Sequence, residues 1–353
     1  MCLVRQMPFP EFEREKKKIL FFSRGRGRGH AIPDIEIIRA LGAVRPDADV
    51  RIVSYGAGSA TFAEFGFPVV DLGLPDTSPI AETSVLAGRL IGWLDPDLVV
   101  SHEEFAVAPA AKIFDKPVVF LTDWFCDPDL YSMASLKFAD QILFLGRPGI
   151  FAEPPWVRGK IRYIGPVLRS FLYARAERLL ARAELKIPQN AFVLSVFPGS
   201  WPESETPLLD LITETYDALD HGSKTLVWVA GRDAALVKTA LEGRDALVFE
   251  SYWRIDRLMA ASDVAIAKMN RMTIFELHHL GIPVIGLSWD RNPIDDQAVA
   301  DLEGVRRLPA DTLGSEGLRA AIRQACEQPV CQERRGNDDG ARKCAEAISA
   351  ALI

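Results

Sequence analysis

The 353-residue chain is 48% hydrophobic and 25% charged, with a net charge of −7. This is an ordinary balance for a globular protein and a poor one for general nucleic-acid binding. No apolar run approaches the length of a membrane span, and the first residues lack the apolar core of a secretion signal. The five cysteines are scattered, with no CxxC pair and no metal-ligand spacing, so free thiols in the cytoplasm are expected. The length calls for two domains.

Residues 1–17 mix charges with Pro8 and Pro10 and read as a loose extension. An apolar strand over 19–23 then stops at a loop carrying Gly25, Gly27 and Gly29, followed by His30, Pro33 and a helix to Val44. This is strand, glycine loop, helix. Glycines let the backbone come close to a ligand, and the helix start offers free N–H groups to an anion. His30, where the loop turns into the helix, is the candidate proton acceptor of this half; a helix cap is its plain alternative. Arg24, Arg26 and Arg28 read as a local basic patch or a solvated charge run.

Further strands are expected at 50–55, 68–72, 97–101, 117–122 and 141–145, with helices at 83–94 and 105–114. His102, Glu103 and Glu104 follow one strand end, either lining an acceptor or forming a solvated loop. Asp123 follows another and is a rival base or a helix cap. A Gly165–Pro166 pair in 162–169 reads as an interdomain linker, with a polar helix at 171–185 after it. The domains are therefore expected at 18–165 and 166–353, with the last helix free to cross back.

The second series has strands at 192–197, 225–230, 246–249, 264–267 and 283–287. Its helices are expected at 207–219, 234–242, 255–261, 272–280, 295–302, 318–326 and 341–352. Continuous apolar strands alternating with helices imply parallel sheets covered on both faces. The fold class is α/β: two doubly wound domains facing across a cleft, with ligands beyond the carboxyl ends of the strands.

Gly199 and Ser200, in Phe197-Pro198-Gly199-Ser200-Trp201-Pro202-Glu203, form a small-residue loop suited to a phosphate, or an ordinary turn. Lys268, Asn270 and Arg271 lead into a helix on which Thr273 and Glu276 share a face near the N-terminus. A carboxylate there could accept hydrogen bonds from two ribose hydroxyls, with Thr273 and loop N–H groups holding a pyrophosphate. Asp295, Asp296 and Gln297 open another helix and could reach sugar hydroxyls. The plain alternatives are a solvated Glu276 and acidic residues that merely favour a helix start. His278 and His279 read as structural, because neighbours on a helix cannot share one metal. Tyr252 and Trp253 read either as stacking on a base or as core. No carboxylate pair has metal spacing, so no metal is expected.

Taken together, 25–33, 96–124, 165–169 and 260–297 resemble the MurG-like branch of the GT-B glycosyltransferases, over residue 18 to the end. Gly25 to Pro33 resembles that branch's N-terminal loop ending in Gly-His-x-x-Pro, and 260–297 its donor signature. The resemblance implies two Rossmann-like domains and sugar transfer from a UDP-linked donor to an acceptor hydroxyl, inverting and without cofactor or metal. It implies Glu276 on the ribose, Gln297 on the sugar and Arg169 near the donor, while the base is His30 or, on its place at a strand end, Asp123. From their own places at strand ends and helix starts, Gly199, Ser200, Lys268, Asn270, Arg271, Thr273 and Asp296 are expected around the rest of the donor, although Lys268, Asn270 and Arg271 stand where the family's donor loop carries glycine. Gly25, Gly27, Arg28, Gly29, His102 and Glu103 fall on the acceptor side. A lipid-linked acceptor would add a peripheral membrane contact at the inner face of the cell membrane, with no nucleic-acid partner. A nucleotide-sugar hydrolase, a 2-epimerase, and a non-catalytic nucleotide-sugar binder are the alternatives.

Overall fold

The computed structural model describes residues 16–75, 80–123, 134–199, 208–288, 293–299, 301–327 and 339–352. In the first strand, β1 (Lys17–Ser23), Ile19 and Phe21 enter one buried cluster, and Leu20 and Phe22 another. Both faces of the strand are covered, which is why it reads as an unbroken apolar run. Around it lie β2 (Ala48–Ser54), β3 (Val69–Asp71), β4 (Leu98–His102), β5 (Val118–Thr122), β6 (Gln141–Phe144) and β7 (Ile161–Tyr163). The sheet is parallel throughout, in the order β3-β2-β1-β4-β5-β6-β7.

On one face, α1 (Ala31–Val44) and α2 (Gly56–Glu64) contribute Ile35, Leu41 and Phe62 to the core. On the other, α3 (Ile80–Leu94) and α4 (Val107–Ile113) contribute Leu90, Ile91 and Ala111. Helix α2 was not expected: Gly56 and Gly58 in its first turn disguise it as a loop. Gly58 is small for a reason, since a Cβ there would lie 2.4 Å from the Ser54 hydroxyl.

The second unit runs α5 (Arg178–Glu184), β8 (Phe192–Phe197), α6 (Leu208–Asp217), β9 (Lys224–Val229), α7 (Ala234–Ala240) and β10 (Ala246–Phe249). It continues α8 (Ile255–Ala261), β11 (Val264–Lys268), α9 (Arg271–His279), β12 (Val284–Ser288), α10 (Pro293–Val299), β13 (Val305–Pro309) and α11 (Ser315–Glu327). Its parallel sheet has the order β10-β9-β8-β11-β12-β13. The helix expected over 171–185 is shorter. Asp256 accepts the N–H groups of Leu172 and Tyr173, and so holds the start of that segment as loop. Strand β13 was missed because Arg306 and Arg307 are exposed at the sheet edge, which hides the apolar pattern.

The chain divides after Arg169, and residues 338–353 belong with the first unit. The expected boundary placed 166–169 in the second domain and left the last helix free to cross back. The packing explains the difference. Cys344, Ala345 and Ile348 of α12 (Gly340–Ala351) enter the same buried cluster as β1, Ile164 and Val167. Pro166 itself abuts this helix, where a Cβ on Gly340 would sit 2.4 Å from its carbonyl oxygen.

Both sheets grow outward from their first strand. β1 lies between β2 and β4, and β8 between β9 and β11. The order therefore reverses at the β1/β4 and β8/β11 boundaries, and the crevices outside the carboxyl ends there are where ligands of such sheets bind. Because Ile348 is fully buried in the first unit's core, Ile348→Ala should destabilise that unit by about 2–5 kcal/mol. Denaturant unfolding followed by fluorescence should show the loss in one transition and leave the second unit's transition in place.

Candidate active site

At the first switch point the chain leaves β1 into the glycine loop. Gly25 is pressed against Tyr55: a Cβ would fall 2.2 Å from the Tyr55 carbonyl oxygen. Gly27 has φ +69, a conformation that favours glycine. Gly29 faces open space. Arg28 pairs at the surface with Glu64 (2.6 Å), while Arg24 turns inward, its guanidinium over the Phe105 ring and 3.7 Å from Glu103.

His30 occupies the N-cap position of α1, yet its side chain makes no capping hydrogen bond. Its Nε2 instead pairs with Glu103 Oε2 at 2.9 Å. The other Glu103 oxygen accepts from the Thr122 hydroxyl (2.9 Å) and from the Asp123 backbone N–H (3.3 Å). One carboxylate thus ties together the ends of β1, β4 and β5. Glu103 holds φ +53, left-handed for a residue other than glycine, a conformation that costs roughly 1–3 kcal/mol and clusters at functional sites.

β4 continues one residue beyond its expected end, through His102. His102 Nδ1 bonds Asp34 Oδ1 at 2.7 Å, with Asp34 fully buried. The His30 and His102 rings meet edge to face, 4.8 Å between centroids. The solvated-loop alternative for this segment is therefore corrected: His102 and Glu103 are each 3% exposed and Glu104 4%. Glu104 accepts from the Tyr55 hydroxyl at 2.8 Å. What made the segment look like surface was its charge; what buries it is the partner that each polar group finds.

The charges separate the two histidines. Burial pushes the His30 imidazole below the ordinary histidine value; the Glu103 carboxylate opposes this, and His102 and Arg24 add to it. Burial would also lower His102, but Asp34, helped by Glu103 and Asp123, outweighs it and holds that ring above the ordinary value. The result is a neutral imidazole beside a more readily protonated one. Burial raises the Glu104 carboxyl, against the Tyr55 hydrogen bond and Arg24. Asp123 is half-buried beside this group and enters it through its N–H and its charge.

At the second switch point Gly199 (φ +66) follows β8, and a Cβ there would lie 3.7 Å from the Asn270 amide. Asn270 caps α9, its side-chain oxygen accepting from Thr273 N–H at 3.4 Å. Lys268, Arg271 and Thr273 are half-buried around that cap. Glu276 is 1% exposed, which removes the solvated-helix alternative. Gly199, Asn270 and Thr273 are thus neighbours. Ser200 lies outside the described residues. Arg169 is half-buried in the first unit.

Asp296 is buried, and its Oδ2 is held by the Ser288 hydroxyl (2.6 Å) and Arg307 (2.7 Å). It locks α10 to β12 and β13, whereas the adjacent Gln297 is exposed. Ser288 and Arg307 were missed because their association depends on β13. The side chain of Asp295 lies outside the described residues. His278 Nδ1 bonds the Glu303 carbonyl at 2.9 Å and His279 stacks on Phe171, both structural as expected. Trp253 is 61% exposed under the Arg254 guanidinium, and the Tyr252 hydroxyl accepts from Arg257.

Two outcomes test this geometry. In histidine NMR titrations, His30 should titrate below the ordinary value and His102 above it. Glu103→Gln should lower His30 further, because the carboxylate is what opposes burial there. Gly25→Ala should lower the melting temperature or distort the loop, while Gly29→Ala should leave the melting temperature unchanged within error.

No protein-family model matches the chain. A curated relative, the UDP-N-acetylglucosamine–N-acetylmuramyl-(pentapeptide) pyrophosphoryl-undecaprenol N-acetylglucosamine transferase of Salinibacter ruber, is 24% identical over 93% of this chain and 91% of its own. Among solved structures, the MurG of Acinetobacter baumannii superposes with a TM-score of 0.67 at 13% identity, covering 95% of this chain and 99% of that one. The UDP-GlcNAc 2-epimerase of Methanocaldococcus jannaschii gives a TM-score of 0.66 at 14% identity, again over 95% and 99%. The likeness covers nearly the whole chain, so the chain has the two-domain GT-B fold of these structures, and in sequence it is similar along most of its length to curated N-acetylglucosamine transferases.

Proposed function

We propose that the chain moves a sugar from a UDP-linked donor, bound at the second switch point, to an acceptor hydroxyl brought to the first. The observation that carries this reading is the chain Thr122–Glu103–His30, which holds a half-buried imidazole at a switch point with its proton-accepting form favoured. With Glu103 accepting from Nε2–H, the lone pair sits on Nδ1. That atom is shielded from water and has no hydrogen-bond partner among the described residues. The imidazole as a whole is one-fifth exposed, and an acceptor hydroxyl brought to it gives up its proton as the hydroxyl oxygen attacks the anomeric carbon. The sugar–phosphate bond breaks with inversion, and UDP leaves without a metal. The N-terminus of α9, with Lys268 and Arg271, supplies positive charge to the departing diphosphate. Glu276 accepts the ribose hydroxyls.

The names of the curated relatives support UDP-N-acetylglucosamine as donor and a lipid-linked acceptor. A second observation supports contact with a membrane surface. Val85 and Trp93 on α3, and Ile113 and Phe114 at the end of α4, are exposed on two packed helices, with Lys112 and Lys116 nearby. Both lysines are paired with aspartates, Lys112 with Asp140 and Lys116 with Asp95, so it is the apolar patch itself that suits a membrane surface. No helix among the described residues is long and apolar enough to cross one. The likeness to 2-epimerase structures keeps epimerisation as the rival reaction. Acceptor-free incubation with UDP-N-acetylglucosamine separates the two, since a transferase leaves the donor's sugar unchanged.

His30→Ala should reduce the turnover number about 100- to 10,000-fold while UDP binding, measured by calorimetry, stays close to wild type. An unperturbed histidine base would give a pH limb near neutrality. The lowered His30 value moves that limb to more acid pH: activity persists at neutral pH and falls as pH drops through the lowered value. Glu276→Ala should weaken UDP binding about 10- to 100-fold, the worth of hydrogen bonds to a charged group. Sedimentation with anionic vesicles should capture the wild type, and Trp93→Glu with Ile113→Glu should release it.

A further inference from the structure

The donor atoms of His30, His102 and Glu103 all lie within 4.8 Å of one another. Two imidazoles and a carboxylate are the donor chemistry of Zn²⁺ and neighbouring first-row ions. The support around this trio is what a metal site requires. His102 gives its Nδ1 to Asp34 at 2.7 Å, which fixes the tautomer with the lone pair on Nε2. Metal-binding histidines are oriented in this way by a carboxylate behind them. No hydrogen-bond partner for His102 Nε2 occurs among the described residues. Glu103 is steadied on its other oxygen by Thr122. Its Oε2 lies 2.9 Å from His30 Nε2, close to the roughly 3.3 Å that separates neighbouring ligands on a tetrahedral ion with bonds of about 2.0–2.1 Å.

We infer that His30, His102 and Glu103 form a binding site for a Zn²⁺-class cation, and that filling it switches off the proton acceptor. The ion takes the place of the hydrogen bond between His30 and Glu103. The proton on His30 Nε2 moves to Nδ1, so the ring stays neutral, binds through Nε2, and has no lone pair left for an acceptor hydroxyl. Arg24, 3.7 Å from Glu103, is the opposing charge, and the ion must displace it. Such a site would make turnover sensitive to free zinc while the donor site in the second unit stays competent.

The test titrates the full chain with ZnCl₂ against a chromophoric chelator. The expected result is one ion per chain, with affinity reduced about 10- to 100-fold or more in His30→Ala and in Asp34→Asn, each checked for folding by circular dichroism. Arg24→Ala should tighten binding several-fold, a gain that misfolding cannot produce. Co²⁺ in place of Zn²⁺ should give a visible spectrum of nitrogen and oxygen ligation without a thiolate charge-transfer band. Bound Zn²⁺ should abolish transfer and leave UDP affinity unchanged. Absence of binding, equal affinity in folded His30→Ala, or a thiolate band would overturn the inference. The titration reads binding without turnover, so a chain that transfers sugar but ignores zinc removes this inference alone.

Discussion

The first unit's site depends on one buried carboxylate. Glu103 is the point at which three adjacent strands are joined beyond their hydrogen-bonded registers, through His30, through Thr122 and through the Asp123 N–H. A buried carboxylate left unpaired would cost several kcal/mol. The surroundings answer that cost with two hydrogen bonds from the polypeptide, a nearby guanidinium and an imidazole. The left-handed backbone of Glu103 fits the same account: the strain falls at the residue just beyond β4 whose side chain meets all of these at once.

A second constraint separates His30 from His102. Two imidazoles in edge contact cannot both be protonated cheaply, and the fold assigns the charge. Asp34, in the first turn of α1, stands behind His102, whereas His30 has a carboxylate already shared with Thr122 and Arg24. The environments push the two values apart, which is how a pair of like groups acquires different roles.

Much of the fold was legible in the letters. The runs at 19–23, 98–102 and 192–197 are apolar on both faces because both faces are buried, so they announce a parallel sheet covered by helices. The glycine loop and His30 were visible for the same local reason. The network around His30 was not, since His30 and Glu103 are 73 residues apart and only strand order makes them neighbours. Nothing local distinguishes His102-Glu103-Glu104 from a solvated charge run. Nothing local marks Asp34 either, since its partner is a histidine 68 residues away. In the second unit, Asn270, Thr273 and Glu276 were legible because they share one helix start. The hold of Ser288 and Arg307 on Asp296 was hidden by a charged edge strand.

The last helix carries a consequence for how the chain is made. Ile348 and Cys344 complete the core face begun by Ile19 and Ile35, yet the whole second unit is synthesised in between. At ordinary rates of translation that interval is roughly 10–30 seconds. Through it, the first unit leaves the ribosome with one apolar face open, while the second unit has all of its own strands and can close first. The order of maturation is then the reverse of the order of synthesis. The nascent N-terminal unit is the part that most needs a chaperone's protection, and a transcript broken near its end yields a sound second unit attached to an unfinished first.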